Sequence, residues 1–382
     1  MENFAFYSPT YFEFGKGAEE KTGSLAARFG AKKVLLHYGR GSVVKSGLLD
    51  RVKKSLNESG IKFAELGGVE PNPRAELVYE GIELARREGV DFIIALGGGS
   101  SIDSAKAIGI GVPYKGDFWD FYDGSAAVEK SLPIGVVLTI SAAGSEGSEG
   151  SVITGGKGKL KRAAGGDVMR PKFAIMNPAL TTTLPPFQVA CGGADIMAHL
   201  FERYFTNTKS VETTDCLIEG LLRAMIVELP KAVANPADYD AQANIMWAGT
   251  LAHNNAIGVG RSQDWASHRI EHELSALYGV AHGAGLAVVF PAWMKYVHSH
   301  DLARFERLAK NVWGVVDGLA GIEKLKSFWH SLGLPTTLTE LGGKAKDVPY
   351  LAKNAAYNPD GTLGGFVPLN KADVAAVYAL MK

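Results

Sequence analysis

Val90-Asp-Phe-Ile-Ile-Ala-Leu-Gly-Gly-Gly-Ser-Ser-Ile-Asp-Ser-Ala-Lys106 is the stretch on which the fold turns. Its first seven residues, apolar but for Asp91, form a run of strand length, and three glycines end it. A strand that is apolar on both faces belongs to a parallel sheet covered by helices. The glycines let the backbone approach a pyrophosphate, and the helix that opens behind them offers free N–H groups to its charge. The spacing differs from Gly-x-Gly-x-x-Gly, and a tight turn is the plain alternative. Position directly after a strand favours the phosphate reading.

Working outward, Ala75 to Glu88 has the composition of a helix and Gly89 ends it. Lys33-Val-Leu-Leu-His-Tyr38 predicts a strand ended by Gly39, with a helical pattern over 47–59 and a strand over Ile61–Glu65. Pro133–Thr139 predicts another strand. Alternation of this kind predicts an α/β domain built on a parallel sheet. From Pro185 onward helical periodicity dominates, over 187–206, 210–228, 239–256, 264–278, 283–299, 301–318 and 320–332. The connector is Asn177-Pro to Pro185-Pro186. The expectation is therefore a dinucleotide-binding α/β domain at 1–184 and an all-helical metal-binding domain at 185–382, with a cleft between them as the natural place for chemistry. Gly155 to Gly166 reads as a loop or hairpin between strands.

Bulk properties narrow the function. The 382 residues suggest two domains. Forty basic and forty acidic residues cancel, which argues against nucleic acid or a membrane surface as partner. No apolar run has the length of a membrane span, and Met1-Glu-Asn-Phe lacks a signal peptide's basic start. Two cysteines, Cys191 and Cys216, are too few for a disulfide framework and read as core residues of a cytoplasmic protein.

The second glycine turn, Gly39-Arg-Gly-Ser42, follows the first strong strand. An acid there would favour the 2′-hydroxyl of NAD; Arg40 and Ser42 instead suit the 2′-phosphate of NADP. Further along, Asp195 and His199 stand four residues apart, one helical turn, among apolar neighbours. Such a pair is common on solvated helix faces, but burial demands a partner. With His268 and His282 it makes one carboxylate and three imidazoles, a set that holds a divalent ion and leaves a position open.

Together these pieces resemble the iron-containing (group III) alcohol dehydrogenase family, in particular its NADPH-dependent butanol dehydrogenase and aldehyde reductase branch. The resemblance runs through Phe12-Glu-Phe-Gly-Lys-Gly17, Glu70-Pro-Asn-Pro73, Gly97-Gly-Gly-Ser100 with Asp103, Asn177-Pro to Leu184-Pro, Gly193-Ala-Asp195 with His199 and Glu202, and His268-x-x-x-His272 through His282-Gly. It implies Fe²⁺ or Zn²⁺ on Asp195, His199, His268 and His282, acting as a Lewis acid on a small alcohol or aldehyde. It places Gly97, Gly98, Gly99 and Ser100 at the pyrophosphate, Gly39 and Ser42 at the adenine ribose, Thr139 in the adenine pocket and Lys161 at the ribose or phosphates. Asp103 falls near the nicotinamide, and His272 beside substrate and coenzyme as a proton relay or a hydrogen-bonding partner. A homodimer is implied as well.

Two departures concern the coenzyme: Ala143 stands where the family usually has Thr, and Arg40 where relatives often have glycine. The aromatic run Phe118, Trp119, Phe121 and Tyr122 is a candidate substrate wall, with plain core as the competing reading. A dehydroquinate synthase-type lyase or cyclase is the alternative function. It needs basic residues for a phosphorylated substrate, for which Arg261 and Arg269 are the candidates. A metal hydrolase without nucleotide would leave the glycine turns unexplained.

Overall fold

In the computed structural model, which describes residues 1–156 and 160–382, strand alternates with helix through the first half. The order is β1 (Tyr11–Phe14), α1 (Thr22–Arg28), β2 (Lys33–Gly39), α2 (Ser42–Lys45), α3 (Leu48–Glu58), β3 (Lys62–Val69), α4 (Ala75–Glu88), β4 (Phe92–Gly97), α5 (Gly99–Gly111), α6 (Asp120–Asp123) and β5 (Ile134–Leu138). Then come β6 (Gly150–Gly155), β7 (Leu160–Gly165) and β8 (Phe173–Met176). Six strands form one parallel sheet in the order β1-β8-β5-β4-β2-β3. Every residue of β4, β5 and β8 is buried, as expected of strands covered on both faces. The chain runs outward from β2 to β3 and then returns to place β4 on the other side of β2. That reversal is a topological switch point, where open α/β sheets leave a crevice at the strands' carboxyl ends.

The sequence did not announce β1 or β8, because four-residue strands are too short for a periodicity. The glycine-rich segment 155–166 splits: β6 and β7 form an antiparallel hairpin, and residues 157–159 lie outside the described residues. Of the aromatic run, Phe118, Phe121 and Tyr122 are buried, Trp119 stacks on Tyr122 at 5.5 Å, and Tyr122 shares a hydrogen bond with Ser151. The run is core packing.

The second half is helical. It comprises α7 (Pro186–Tyr204), α8 (Glu212–Ala234), α9 (Tyr239–His253), α10 (Ala266–Tyr278), α11 (His282–Val297), α12 (Leu302–Leu308), α13 (Gly318–Ser331), α14 (Val348–Asn354) and α15 (Lys371–Ala379). From Val189 to Tyr204 every residue of α7 is buried, so this is a central helix and not an amphipathic one. The segment read as one helix over 301–318 is α12, then a π-helical turn over Ala309–Trp313 ended by Gly314 at φ 68°. α14 and α15 were not foreseen.

The chain divides into Tyr7–Thr183 and a second unit of Leu184–Lys382 together with Met1–Phe6. The first six residues therefore belong with the helices and not with the sheet, correcting the 1–184 assignment. The Met1 ammonium donates to the Lys209 carbonyl at 2.7 Å and the Glu2 N–H to the Gly260 carbonyl at 2.9 Å. Cys191 is buried, but Cys216 lies exposed on α8, contrary to expectation. No helix among the described residues is long and apolar enough to cross a membrane.

Candidate metal centre and nucleotide cradle

Three helices supply the metal centre. α7 carries Asp195, His199 and Glu202 on one face, α10 carries His268, Glu271 and His272, and α11 starts at His282. Glycine permits the close approach. A Cβ on Gly283 would fall 1.9 Å from the Cys191 carbonyl oxygen of α7, and one on Gly285 2.5 Å from Glu271 Oε1 of α10. Larger residues would push α11 off both neighbours.

Asp195 Oδ1 lies 3.5 Å from His199 Nε2, 3.9 Å from His268 Nε2 and 3.8 Å from His282 Nε2. Donor atoms bound at about 2.1 Å in tetrahedral array stand about 3.4 Å apart, so these separations suit a shared divalent ion. Donor atoms of Asp195, His268 and His282 form a mutual cluster. His199 joins it through Asp195, while its Nε2 also meets His253 Nδ1 at 3.0 Å. Ligation by His199 therefore requires His253 to release that nitrogen.

The far sides of the rings decide the tautomers. His268 Nδ1 donates to Glu202 Oε1 at 2.6 Å, and His282 Nδ1 pairs with Glu271 Oε2. With protons held on Nδ1, both Nε2 lone pairs face the carboxylate of Asp195. Lone pairs and an anion converge favourably only around a cation, so these residues fit a metal ion. Glu202 also accepts the backbone N–H groups of Trp265 at 2.5 Å and His268 at 3.0 Å. Trp265 is held at φ 64°, strained for so bulky a residue, with its ring against His199 and His268. Burial raises the Glu202 carboxyl to about 8 and lowers the His199 imidazole well below its ordinary value, with the neighbouring His253 and His268 adding to the latter. Burial likewise holds the Cys191 thiol neutral, at about 12.

His272 is buried one turn beyond His268, and its ring lies 5.7 Å from that of His282. Glu271, His272 and His282 also bring donor atoms together. Glu271, however, is engaged by Ser275 Oγ and His282 Nδ1, and so orients a ligand. His253 is a member of this histidine cluster that sequence reasoning missed. At the last position of α9 it has no spacing relation to the other histidines, and only the packing of α9 against α7 reveals it.

In the sheet unit, the expected coenzyme residues collect at the carboxyl ends of adjacent strands. Gly39 ends β2 and Arg40 and Ser42 follow it, Gly97 ends β4 and Gly98 to Ser100 follow it, and Thr139 follows β5, donating its N–H to the Gly97 carbonyl at 3.0 Å. These ends flank the switch point between β2 and β4. Gly97 has φ 154°, and a Cβ on Gly98 would overlap Ile140 Cγ2 at 1.8 Å. A Cβ on Gly99 would meet just Ala143 Cβ at 3.9 Å, so that side is open, and α5 begins there without a side-chain cap. An open glycine flank at an uncapped helix start fits a pyrophosphate.

Asp103 faces inward. Its Oδ1 accepts from Ser145 Oγ at 2.7 Å and its Oδ2 from the Val152 N–H at 2.8 Å, so the carboxylate braces the 145–152 segment. Burial raises its pKa, opposed by the Lys106 charge. Lys106 is itself buried, donating to the carbonyls of Ser145, Ser148 and Gly150 at 2.7–2.9 Å, and burial lowers it to about 8. Lys161 lies buried on β7, where its charge also acts on Asp103.

Comparison with known proteins identifies the family. The sequence model of the iron-containing alcohol dehydrogenases matches residues 9–178, and that of the Fe-containing alcohol dehydrogenase C-terminal region matches 189–381. The chain is 40% identical to NADH-dependent butanol dehydrogenase A of Clostridium acetobutylicum over 99% of both chains. It is 38% identical to the NADPH-dependent aldehyde reductase YqhD of Escherichia coli over 92% of both. The crystal structure of NADH-dependent butanol dehydrogenase A from Thermotoga maritima superposes with a TM-score of 0.97 at 41% identity, covering 100% of this chain and 99% of that one.

Proposed function

The chain belongs to the iron-containing alcohol dehydrogenase family, and from that membership we propose that it interconverts small primary alcohols and aldehydes using NADP(H), with NAD(H) also accepted. The observation that carries this is the convergence of two Nε2 lone pairs on Asp195, with both Nδ1 protons held by Glu202 and Glu271. When bound, a divalent ion supplies Lewis acidity toward an alcohol or carbonyl oxygen, and the nicotinamide gives or takes the hydride.

The protein's own residues do the rest. Asp195, His199, His268 and His282 would hold Fe²⁺ or Zn²⁺. Glu202 and Glu271 keep the imidazoles in the tautomer and orientation that ligation needs. His272 would pass a proton between the substrate oxygen and solvent. Gly97 to Ser100 with the start of α5 receive the pyrophosphate, Thr139 the adenine, and Gly39, Arg40 and Ser42 the adenosine ribose and its 2′-phosphate. Asp103, expected at the nicotinamide end, and Lys161 would support the nicotinamide and ribose side of the cradle. We read the protein as a cytoplasmic homodimer, which gel filtration would test.

The lyase alternative loses its basic residues. Arg261 is buried, donating to the Arg203 and Val211 carbonyls and pairing with Asp215 at 2.8 Å, while Arg269 donates to Ala356 and Asn358. Arg261 is thereby unavailable to a phosphorylated substrate, and Arg269 alone would be a single cation. The test is NADPH consumption with butyraldehyde by wild type and His268→Ala protein, with metal content measured in parallel. Stoichiometric oxidation by wild type, abolished in the variant along with bound metal, is the expected result. Full activity in metal-free His268→Ala protein would overturn the reading.

A further inference from the structure

The turn after β2 carries no acid, yet the fold brings one to it. β3 pairs in parallel with β2, and a register shift between His37 and Gly39 sets Gly39 opposite Val69. Glu70 is the first residue past the end of β3, so it emerges beside Arg40, the first residue past β2. There Glu70 Oε1 forms a close ion pair with Arg40 Nη2, and Oε2 faces Arg74 Nε at 3.4 Å. One carboxylate thus spans two guanidiniums. The Arg40 side chain remains 72% exposed while Glu70 is 31% exposed, so the carboxylate is the better fixed partner and the arginine head stays open to ligand.

The two coenzymes differ at a single group. A 2′-phosphate is close to a dianion at neutral pH and has no proton to give a carboxylate, whereas a 2′-hydroxyl donates readily to one. A 2′-phosphate seeking Arg40 must displace Glu70 and then endure its charge. A 2′-hydroxyl finds in Glu70 the acceptor that dinucleotide folds ordinarily supply at this end of the sheet. We propose that Glu70 is a coenzyme-specificity residue: it takes back part of the 2′-phosphate attraction of Arg40 and supports NAD(H) binding.

This rests on the reading that the Gly39–Ser42 turn holds the adenosine ribose. It deepens that reading by naming the residue that sets the balance between coenzymes. Glu70 acts on binding and touches none of the reacting atoms.

The experiment is fluorescence titration of NADPH and NADH against wild type, Glu70→Gln, Arg40→Ala and the double variant, with melting temperatures to verify folding. Removing an exposed carboxylate beside a guanidinium should tighten NADPH about threefold and weaken NADH about twofold, moving the ratio of dissociation constants about fivefold or more toward NADPH. In the Arg40→Ala background the NADPH gain should shrink to the part owed to charge repulsion, while the NADH loss should remain. A smaller shift in the ratio, or an NADPH gain undiminished without Arg40, overturns the proposal while leaving the ribose site standing. Equal losses of both coenzymes in Arg40→Ala, or no binding of either by wild type, overturn the ribose site and the proposal together.

Discussion

Replacing Gly283 with alanine tests whether helix approach creates the metal centre. The new Cβ would stand 1.9 Å from the Cys191 carbonyl oxygen and 2.6 Å from its carbon. Both are backbone atoms in the middle of α7, so no rotamer change relieves the clash, and α7 and α11 must part by about 1 Å or more to reach a tolerable contact. Cys191 precedes Asp195 by one turn, and His282 is the neighbour of Gly283. The same displacement therefore opens the 3.8 Å separation between Asp195 Oδ1 and His282 Nε2. Metal–ligand bonds tolerate about 0.2 Å, so the site should lose His282 as a ligand and metal affinity should fall by about 100-fold. Overpacking should cost about 1–3 kcal/mol, a melting drop of about 2–10 °C for a unit of this size. The assay is metal titration of anaerobically prepared apoprotein with Fe²⁺ and Zn²⁺, alongside thermal unfolding. Gly220→Ala on α8 is the control, because its Cβ would meet just Arg223 Nη2 at 3.9 Å. It should be neutral or stabilising by about 0.5–1 kcal/mol. If Gly283→Ala protein binds metal as wild type does and melts with it, close packing at that contact does not set the site.

Two further outcomes concern the sheet unit. His37 on β2 is fully buried, its Nδ1 directed to the Leu66 carbonyl at 2.9 Å and its Nε2 to Ser104 Oγ at 2.8 Å, and burial lowers it to about 4. The unfolded chain, with a histidine near 6.5, binds a proton that the folded one refuses. His37 should thus cost nothing above about pH 6.5 and destabilise progressively as pH falls toward 4, by up to about 3 kcal/mol. His37→Gln should lose less stability than wild type between pH 7 and 4.5 in urea unfolding; identical slopes would refute the assignment. Ala143 lies beside Gly99 at the open flank of the cradle. Ala143→Thr should add a hydroxyl hydrogen bond to the coenzyme worth about 1 kcal/mol, a tightening of about fivefold for NADPH and NADH alike, read by fluorescence titration. Unchanged affinity for both would place the coenzyme elsewhere.

Much of this protein is written locally. Phe92 to Leu96 is apolar throughout and glycines follow directly, so β4, its turn and α5 follow from side-chain chemistry alone. The Asp195/His199 spacing likewise follows from one helical turn. Other features have no local signature. β1 and β8 are four residues long and exist through their pairing. Cys216 lies on the outer face of α8, which composition does not reveal. Met1 to Phe6 join the helical unit through hydrogen bonds to residues more than 200 positions away.

The same division runs through the sites. Residue type and one helical turn singled out Asp195 and His199, and resemblance to the family carried the expected ligand role to them and to His268 and His282. Only tertiary packing shows that Glu202 and Glu271 hold two of those imidazoles with their lone pairs on Asp195, and that His253 reaches His199. Arg40 was legible as a cation after β2, but its partner Glu70 comes from the end of a different strand. Sequence determines what each side chain can bind; the register between strands and the approach of helices decide which side chains meet.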